Sequence, residues 1–576
     1  MNTSKNTYGA APQKPLRLWP GVVIVIVQWL VRFVIPILMP DAIAIGVFGG
    51  IIGGLAIILW WAFFSTAPRS ERWTAIILMI VALAATSQIL HKSIETAMMG
   101  MMFIMYSIPV LSLAFVIWAV ASLHLSNRVR RATMVATILI ATGFWALLRT
   151  DGMTGEAQHD FAWRWAKTAE ERLLSKADEK TTTLPLNSAT IETETKWPGF
   201  RGHNRDGIIH GVKIKTDWSK SPPVQMWRRS VGPGCSSFAV NGVLLFTQEQ
   251  RGEYEMVTCY NLNTGEPIWK HSDKARFWDA HAGAGPRSTP TLYKGRVYTL
   301  GATGILNVLD ERDGTVAWSR NAAQDTDVKI PGWGYASSPL VVDSIVFVAI
   351  AGKLLAYELV TGKQRWSGPD GGESYSSPHL LTIDGNKQIL FMNKAGATSY
   401  SPTDGKVLWN FPWTGGSPVV QPVRVSDTDM LIGSGDLNEM HRIAVKNSTG
   451  KWAIEERWKT NMIRPYFNDF VVHKGYVFGF DGPSLACNDI ENGDRKWKGG
   501  RYAGELLLLA DQDLLLVLSE KGELALVAAT PEQFKELARF PAIKGKTWNH
   551  PVLVGDILIV RNSEEMAAFR LLLAAS

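Results

Sequence analysis

Cysteine is scarce in this sequence of 576 residues, which contains Cys235, Cys259 and Cys487 and no other cysteine. No two of them form a CxxC pair, which argues against a thiolate metal site and against covalent haem attachment. One long-range disulfide stays open in an oxidising compartment, while buried free thiols are the simpler expectation. A Walker loop, an HExxH motif and a GxSxG motif are also absent, so the usual signatures of P-loop nucleotide hydrolysis, zinc proteolysis and α/β-hydrolase chemistry are missing.

Clustered positive charge is missing as well. The formal net charge of +7 is modest for this length, and part of it lies between apolar segments near the N-terminus. No basic stripe with interleaved aromatic residues occurs, so we expect no nucleic-acid partner.

Long apolar runs are abundant before residue 150. There are five, at about 18–39, 43–65, 73–90, 98–122 and 132–148. Each is close to the ~20 residues that span a bilayer, and the first is too long for a cleavable signal peptide. The sequence therefore predicts a cytoplasmic N-terminus at 1–17 and a domain of five transmembrane helices at 18–149, with the lipid bilayer as a partner.

The basic residues of the loops predict the orientation of these helices. Lysine and arginine alternate between loops, at Lys5, Lys14 and Arg17, then Arg69 and Arg72, then Arg128, Arg130 and Arg131. Cytoplasmic loops carry an excess of such residues, so the N-terminus is expected inside. An odd number of spans then places the C-terminal part in the periplasm, as a multi-pass protein of the bacterial inner membrane.

Ionisable groups in or beside the spans are the functional candidates on the membrane side. They are Arg32 in the first span and His91 between the third and fourth. Such groups are often functional, although snorkelling to the interface explains both equally well. The glycine-rich stretch Gly46–Gly54 predicts close packing of helices.

Aromatic residues recur at regular spacing after residue 220. Eight anchors lie 39 to 49 residues apart, and they are Trp227, Trp269, Trp318, Trp366, Trp409, Trp458, Trp497 and Phe540. Each of them ends a short β-run, most often after a Thr-Gly, Asp-Gly or Asn-Gly turn. A period of this length with four short strands per unit is typical of a propeller blade.

The anchors predict how the ring closes. The last repeat, 548–570, has no Trp-bearing outer strand after it, whereas Val224–Arg229 supplies one from the other end. We therefore expect a closed all-β propeller of eight blades over 197–576, without the open edge of a linear array. Residues 150–196 form the linker, in which Phe161–Leu174 is expected to be an amphipathic helix, at the membrane surface or packed on the propeller, and Thr181–Thr195 a flexible spacer.

The Gly-x-x-x-Trp units, such as Gly265–Trp269, Gly314–Trp318 and Gly362–Trp366, resemble the docking motif of quinoprotein propellers built from pyrroloquinoline quinone (PQQ) repeats. The resemblance covers about 197–570. It implies either a PQQ-dependent dehydrogenase with Ca²⁺ or a propeller that binds partner proteins without a cofactor, as the outer-membrane assembly factor does. The five-span layout is similar to that of membrane-bound quinoprotein glucose dehydrogenase. The vicinal Cys–Cys pair of the PQQ-dependent alcohol dehydrogenases is absent, and no calcium ligand can be assigned.

The links after the second and fourth strands of each blade share one face of a propeller, and in this sequence they are rich in polar and aromatic side chains. The candidates for a binding site at the channel mouth on this face are Glu249, Arg251, Asp279, His281, Arg287, Trp333, Tyr335, Tyr375 and Arg464. Glu249 or Asp279 would serve as a general base and His281 as a proton carrier. The arginines would hold an anionic ligand such as a carboxylated quinone, with an aromatic ring, Trp333 or Trp413, stacked on its plane. In the alternative interpretation, Arg–Glu pairs and aromatic residues only fill the channel.

Two functions remain open from the sequence. The first is a membrane-anchored periplasmic propeller that binds a ligand or a periplasmic or membrane protein. The second is a PQQ-dependent dehydrogenase of alcohols or sugars that donates electrons to membrane quinone. The missing cysteine pair favours the first, and the sequence names no substrate.

Overall fold

The computed structural model describes residues 17–39, 42–155, 159–175, 196–413, 415–434 and 439–574. The chain divides into two compact units, Met1–Ala166 and Lys167–Ser576. Almost all of the segment predicted as a cytoplasmic N-terminus, and the spacer Thr181–Thr195, lie outside the described residues.

The first unit is helical. Four of its described helices are long and apolar enough to cross a membrane, namely α1 Trp19–Leu38, α2 Ile43–Phe64, α3 Arg69–Ser87 and α4 Met102–Ala121. The sequence predicts five spans, and α5, Asn127–Gly143, is the one that falls short. It has 17 residues, and its first turns carry three arginines, so only its C-terminal part is apolar.

Close packing brings the helices of this unit together, as the glycine-rich stretch predicts. A Cβ on Gly53 of α2 would lie 2.5 Å from Cγ of Gln28, and one on Gly54 would lie 2.2 Å from Cγ2 of Ile108. Glycine therefore lets α1 and α4 approach the backbone of α2, as small residues do between membrane helices.

A β-hairpin follows the helices where the sequence predicts the start of an amphipathic helix. Leu148–Met153 pairs antiparallel with His159–Trp163, so the helix prediction is wrong for its first residues. Trp163 stacks on Trp165 at 5.2 Å between ring centroids. The remaining part is helical as α6, Ala169–Leu174, which a capping box between Thr168 and Glu171 begins.

The second unit is a propeller of eight sheets, each with four antiparallel strands, and the sheet of blade 7 carries one further, parallel strand, Ile208–Ile209. From the axis outwards, blade 1 comprises Ala239–Asn241, Leu244–Arg251, Tyr254–Asn261 and Pro267–Asp273. Blade 2 comprises Thr291–Tyr293, Arg296–Leu300, Ile305–Asp310 and Val316–Asn321. Blade 3 comprises Leu340–Val342, Ile345–Ile350, Lys353–Glu358 and Gln364–Ser367. Blade 4 comprises His379–Ile383, Asn386–Asn393, Gly396–Tyr400 and Val407–Pro412.

The second half of the ring repeats the pattern. Blade 5 comprises Val423–Arg424, Asp429–Gly433, Met440–Ser448 and Lys451–Thr460. Blade 6 comprises Val471–His473, Tyr476–Asp481, Ser484–Asp489 and Arg495–Arg501. Blade 7 comprises Glu505–Leu509, Leu514–Leu518, Glu523–Ala528 and Glu536–Pro541. Blade 8 comprises Val552–Val554, Ile557–Arg561, Glu565–Arg570 and, as its outer strand, Val224–Ser230.

This topology confirms the eight blades and the predicted closure. Trp227 lies opposite Ala568, so the first long strand of the propeller completes the last blade. The closed ring joins the two ends of the repeat array and removes its open edges.

The tryptophan anchors dock each blade onto the next. The indole N–H of Trp269 donates to the Glu311 carbonyl at 3.1 Å, and that of Trp318 donates to the Leu359 carbonyl at 3.0 Å. A Cβ on the turn glycine Gly314 would lie 2.5 Å from the Trp269 ring. Trp409 departs from the pattern, because its N–H donates to Gln388 within its own blade.

Candidate functional site

Strand order places the first candidate residues on one face. The link 274–290 leaves the outer strand of blade 1 and enters the inner strand of blade 2. Within it, Arg287 donates to Oδ2 of Asp279 at 2.6 Å and to the Gly283 carbonyl at 2.7 Å, and it is almost buried. Asp279 also accepts from the backbone N–H of His281 at 2.7 Å. The ion pair between Asp279 and Arg287 therefore stabilises the link from within.

A cluster of aromatic side chains brings together links from different blades on this face. We call it the mouth cluster, and it consists of His281, Trp333, Tyr375, Tyr466, Phe467 and Trp548. Trp333 lies at its centre, with its ring 4.8 Å from that of Tyr375 and 6.2 Å from that of Tyr466. All six residues belong to links between blades, and all but Tyr375 are partly exposed.

Lys546 contacts two members of the mouth cluster, Trp548 and His281. Its ammonium group lies 4.1 Å from the Trp548 ring centroid and donates to the His281 carbonyl at 2.5 Å. Burial lowers the pKa of Lys546, while the nearby Cys235 and Asp279 oppose this effect. The hydrogen bond from Lys546 to His281 thus joins the link before blade 8 to the link after blade 1, while the cation–π contact lies within the first of these links.

Glu249 and Arg251 lie in the second strand of blade 1 rather than in a loop. The Glu249 carboxylate is buried and accepts from Tyr260 at 2.7 Å, Thr258 at 2.8 Å and Arg251 at 3.1 Å. Burial opposes its ionisation, but Arg251, the Gly232 N–H and Tyr260 outweigh that effect and lower the pKa of Glu249 to about 2. A carboxylate with so low a pKa is a weak base, so Glu249 is suited to stabilising blade 1 rather than to acting as a general base.

The other predicted site residues are dispersed. Tyr335 is buried between blades and donates to the Val328 carbonyl at 3.0 Å. Arg464 pairs with Asp481, which also binds Lys498 at 2.8 Å. Tyr375 belongs to the mouth cluster, and its hydroxyl donates to the Glu373 carboxylate.

Trp413, the other predicted stacking residue, lies away from the mouth cluster. Its indole N–H donates to the Asn393 carbonyl at 3.0 Å, and its ring stacks on His441 with the centroids 6.4 Å apart. The structure therefore gathers Asp279, His281, Arg287, Trp333 and Tyr375, and separates Glu249, Arg251, Tyr335 and Arg464 from them.

Residues 197–209 fill the axis of the propeller, a role that the sequence does not reveal. Trp197 pairs with Val240 of blade 1, and Ile208–Ile209 runs parallel to the inner strand of blade 7. Between them, Arg205 donates to the carbonyls of Ser338 at 3.2 Å and Pro378 at 3.1 Å. Burial lowers the pKa of Arg205 to about 10.

Arg201 anchors the same segment to a buried polar group. It donates to the Phe470 carbonyl at 2.8 Å and lies 3.5 Å from Asp469. His550 is 3.4 Å from Asp469 and 3.2 Å from Glu505. Burial lowers the pKa of His550 and raises the pKa of Glu505, and the Asp469 charge adds to the second shift. The only hint in the sequence is that two arginines stand four residues apart, directly before the repeats.

All three cysteines are free thiols, and the expectation that free thiols are buried is met by two of them. Cys259 and Cys487 are buried within blades, and burial raises the pKa of Cys487 to about 12. Cys235 is partly buried, with its sulfur 4.0 Å from Nη1 of Arg287.

A calcium-bound quinone does not fit the donor set at the mouth. Asp279 is neutralised by Arg287, and the Glu373 carboxylate accepts from Tyr375 and Ser417. Among the residues that the structure describes, no group of three or more His, Cys, Asp and Glu side chains is arranged to hold a metal ion.

The fold and the mouth together define an eight-bladed propeller of the PQQ-repeat class. The family model described as outer membrane protein assembly factor BamB (PQQ_2) matches residues 218–369 and 328–531, which is more than half of the chain. The chain belongs to this PQQ-repeat propeller family.

Individual relatives share limited identity with the chain. The outer membrane protein assembly factor BamB of Yersinia pestis is 25% identical over 369 residues, 61% of this chain and 78% of that protein. The quinohemoprotein alcohol dehydrogenase ADH-IIG of Pseudomonas putida is 28% identical over 154 residues, 24% of this chain and only 21% of that enzyme. The structure of quinohemoprotein alcohol dehydrogenase from Comamonas testosteroni has a TM-score of 0.50 at 12% identity, over 66% of this chain and 81% of that one, a likeness of fold alone.

Proposed function

We propose that this protein is a membrane-anchored propeller whose mouth cluster binds a protein partner. The proposal rests on which side chains at the mouth already have hydrogen-bond partners and which remain exposed. The carboxylates of Asp279 and Glu373 already accept from donors within the face. The aromatic rings of Trp333, Tyr466, Phe467 and Trp548 are partly exposed instead. Aromatic residues that keep both apolar area and a polar edge are enriched at protein interfaces.

The family supports a partner in the cell envelope. The relative from Yersinia pestis is named an outer membrane protein assembly factor, and its match extends over 78% of that protein. A propeller can serve many functions, so this name supports an envelope role without fixing the partner.

The helical unit supports anchoring in the inner membrane. Four helices have the length and apolarity of membrane spans. We propose that α5 also crosses, extended by the 3₁₀ turn Phe144–Leu147. With the basic loops inside, five crossings place the propeller in the periplasm.

The second candidate function is a PQQ-dependent dehydrogenase that passes electrons to membrane quinone. Its support is the local match to a quinohemoprotein alcohol dehydrogenase. In such an enzyme the quinone would supply the two-electron chemistry, while Arg287 and Trp333 would bind and orient it. The pairing of Arg287 with Asp279 disfavours this role, because the guanidinium would have to exchange its present partner for the ligand.

Titration of the purified full-length protein with PQQ and Ca²⁺ separates the two functions. We expect no saturable change in quinone absorbance and no dye reduction with alcohols or sugars. Saturable absorbance that is lost in Trp333→Ala, together with dye reduction, would establish the dehydrogenase instead. Trp413→Ala is the matched control, because that tryptophan lies outside the mouth cluster.

A further inference from the structure

Two arginines of the helical unit are equally buried but differ in their partners. Arg130 of α5 is 9% exposed and forms an ion pair with Glu71 of α3 at 2.8 Å. Arg32 of α1 is 8% exposed, and its Nε has no hydrogen-bond partner among the described residues. No carboxylate of those residues lies within ion-pair distance of Arg32. A buried cation without a counter-charge is strongly unfavourable, so Arg32 calls for an anion that the described chain does not supply.

Aromatic rings hold the Arg32 guanidinium in place. Its central carbon is 5.1 Å from the Phe33 ring centroid and 4.8 Å from that of Tyr106. The Tyr106 ring in turn meets the hairpin residue Phe161 at 5.7 Å and Trp145 at 6.1 Å. The π-faces attract the cation, and the Tyr106 side chain also hydrogen-bonds the guanidinium, while Nε keeps no partner among the described residues.

The backbone around Arg32 is shaped to admit polar side chains. Arg32 lies in a π-helical turn, Leu30–Val34, a feature that is frequent at functional sites. A Cβ on Gly50 of α2 would come within 3.2 Å of Cδ of Arg32. One turn earlier, Gln28 donates to the Gly50 carbonyl at 2.7 Å, while its Oε1 has no partner among the described residues. Glycine thus makes room for two polar side chains between α1 and α2.

We propose that Arg32 binds the phosphate group of a membrane lipid, with the acyl chains against the apolar surfaces of the helices. The planar guanidinium fork matches the oxygens of a phosphate and binds it more strongly than a neutral donor does. The inference rests on the proposed placement of the helical unit in a bilayer. In that setting the anion that reaches Arg32 is one attached to a hydrocarbon chain.

Native mass spectrometry of the full-length protein in an uncharged detergent tests this proposal. Phosphatidylglycerol and a diacylglycerol with the same chains are added separately. We expect phosphatidylglycerol to be retained about tenfold more strongly or better, and Arg32→Gln to abolish that preference, since a charge-assisted hydrogen bond is lost. Arg32→Lys should keep part of it, because the charge remains without the fork. Tyr106→Leu, which leaves the charge in place, should also weaken retention.

The matched control is the double variant Glu71→Gln/Arg130→Gln, which removes a paired charge of similar burial and should leave lipid retention unchanged. Equal retention of the two lipids by the wild type, or undiminished phosphatidylglycerol retention by both Arg32→Gln and Tyr106→Leu, would overturn the proposal. Displacement of the lipid by millimolar inorganic phosphate would also overturn it, since it would identify free phosphate as the ligand. Carbonate extraction of membranes carrying the same variants reports bilayer insertion separately, so a failure of anchoring is distinguishable from a failure of lipid binding.

Discussion

The indole ring of Trp227 lies on Gly265, so the strand that completes the last blade is docked on the hairpin of the first. A Cβ at Gly265 would be 2.7 Å from Cδ2 of Trp227, and the glycine adopts a φ of +72°. The Trp227 N–H also donates to the Leu262 carbonyl at 2.8 Å. This contact fastens the ring where its two ends meet.

Gly265→Ala is therefore expected to destabilise the propeller by more than a positive φ alone explains. The added methyl group displaces the Trp227 indole, and overpacking of this kind costs about 1–3 kcal/mol in addition to backbone strain. Denaturation followed by tryptophan fluorescence measures the free energy of unfolding. Gly295→Ala is the control, because Gly295 has a φ of +71° and nothing within 4 Å of its Cβ position. Equal losses in the two variants would contradict the docking role.

Glu249 should stabilise the fold at neutral pH and cease to do so in acid. Its pKa is lowered from 4.5 to about 2, so the stabilisation is fully present above pH 4.5 and is lost as the pH falls towards 2. The shift corresponds to about 3 kcal/mol, which Glu249→Gln should remove at pH 7 and hardly at all near pH 2. Urea denaturation of wild type and variant across this range measures the difference, and a difference independent of pH would refute it.

Glu255 should show the opposite dependence. Burial, opposed by the Ala302 N–H and reinforced by Asp273, raises the pKa of Glu255 from 4.5 to about 7. The folded state favours the protonated carboxyl group of Glu255. The stabilisation of the fold by this proton is therefore full below pH 4.5 and is lost as the pH rises through 7. Relative to wild type, Glu255→Gln should therefore become more stable between pH 4.5 and 7, as the same denaturation series measures. A relative stability that falls over this range would be the contrary result.

Arg287→Ala is expected to destabilise the protein strongly. It leaves Asp279 buried without its cation and frees the carbonyls of Gly283 and Ala284, for which about 3–5 kcal/mol is typical. Arg320→Ala is the control, since Arg320 pairs with Asp325 at 40% side-chain exposure and should cost at most about 1 kcal/mol. Thermal unfolding distinguishes them. Similar melting temperatures for both variants would contradict a structural role for Arg287. They would favour the ligand-binding role that the sequence predicts.

Whether α5 crosses the membrane determines on which side of the membrane the propeller lies. Alkaline phosphatase fused after Leu125, before α5, should be inactive, whereas a fusion after Gly155 or at the C-terminus should be active. This pattern follows if α5 crosses the membrane with its arginines inside. Inactive fusions at all three positions would leave four crossings and place the propeller in the cytoplasm.

The repeats could be predicted from the sequence because each Trp anchor marks a contact between neighbouring blades, as Trp269 on Gly314 illustrates. The helix prediction for Phe161–Leu174 was wrong at its start. Its first residues pair with a neighbouring strand in a hairpin, for example Ala162 with Arg149. The candidate site was harder to predict. Strand order placed Asp279 and Trp333 on the correct face, but it could not show that Glu249 would be satisfied by Arg251 within its own blade. The axial segment carries no periodicity, so only the structure reveals Arg205 at the centre.

The central claim is that the mouth face, and not the opposite face, binds a protein partner in the envelope. Site-specific photo-crosslinking in intact cells tests it most directly. The crosslinker replaces Gly332, which is exposed beside Trp333, or Val360, which is 83% exposed on a hairpin of the opposite face. We predict one discrete adduct with an envelope protein from position 332, lost on Tyr466→Ala, and none from position 360. No adduct from position 332, or the same adduct from both positions, would contradict the account.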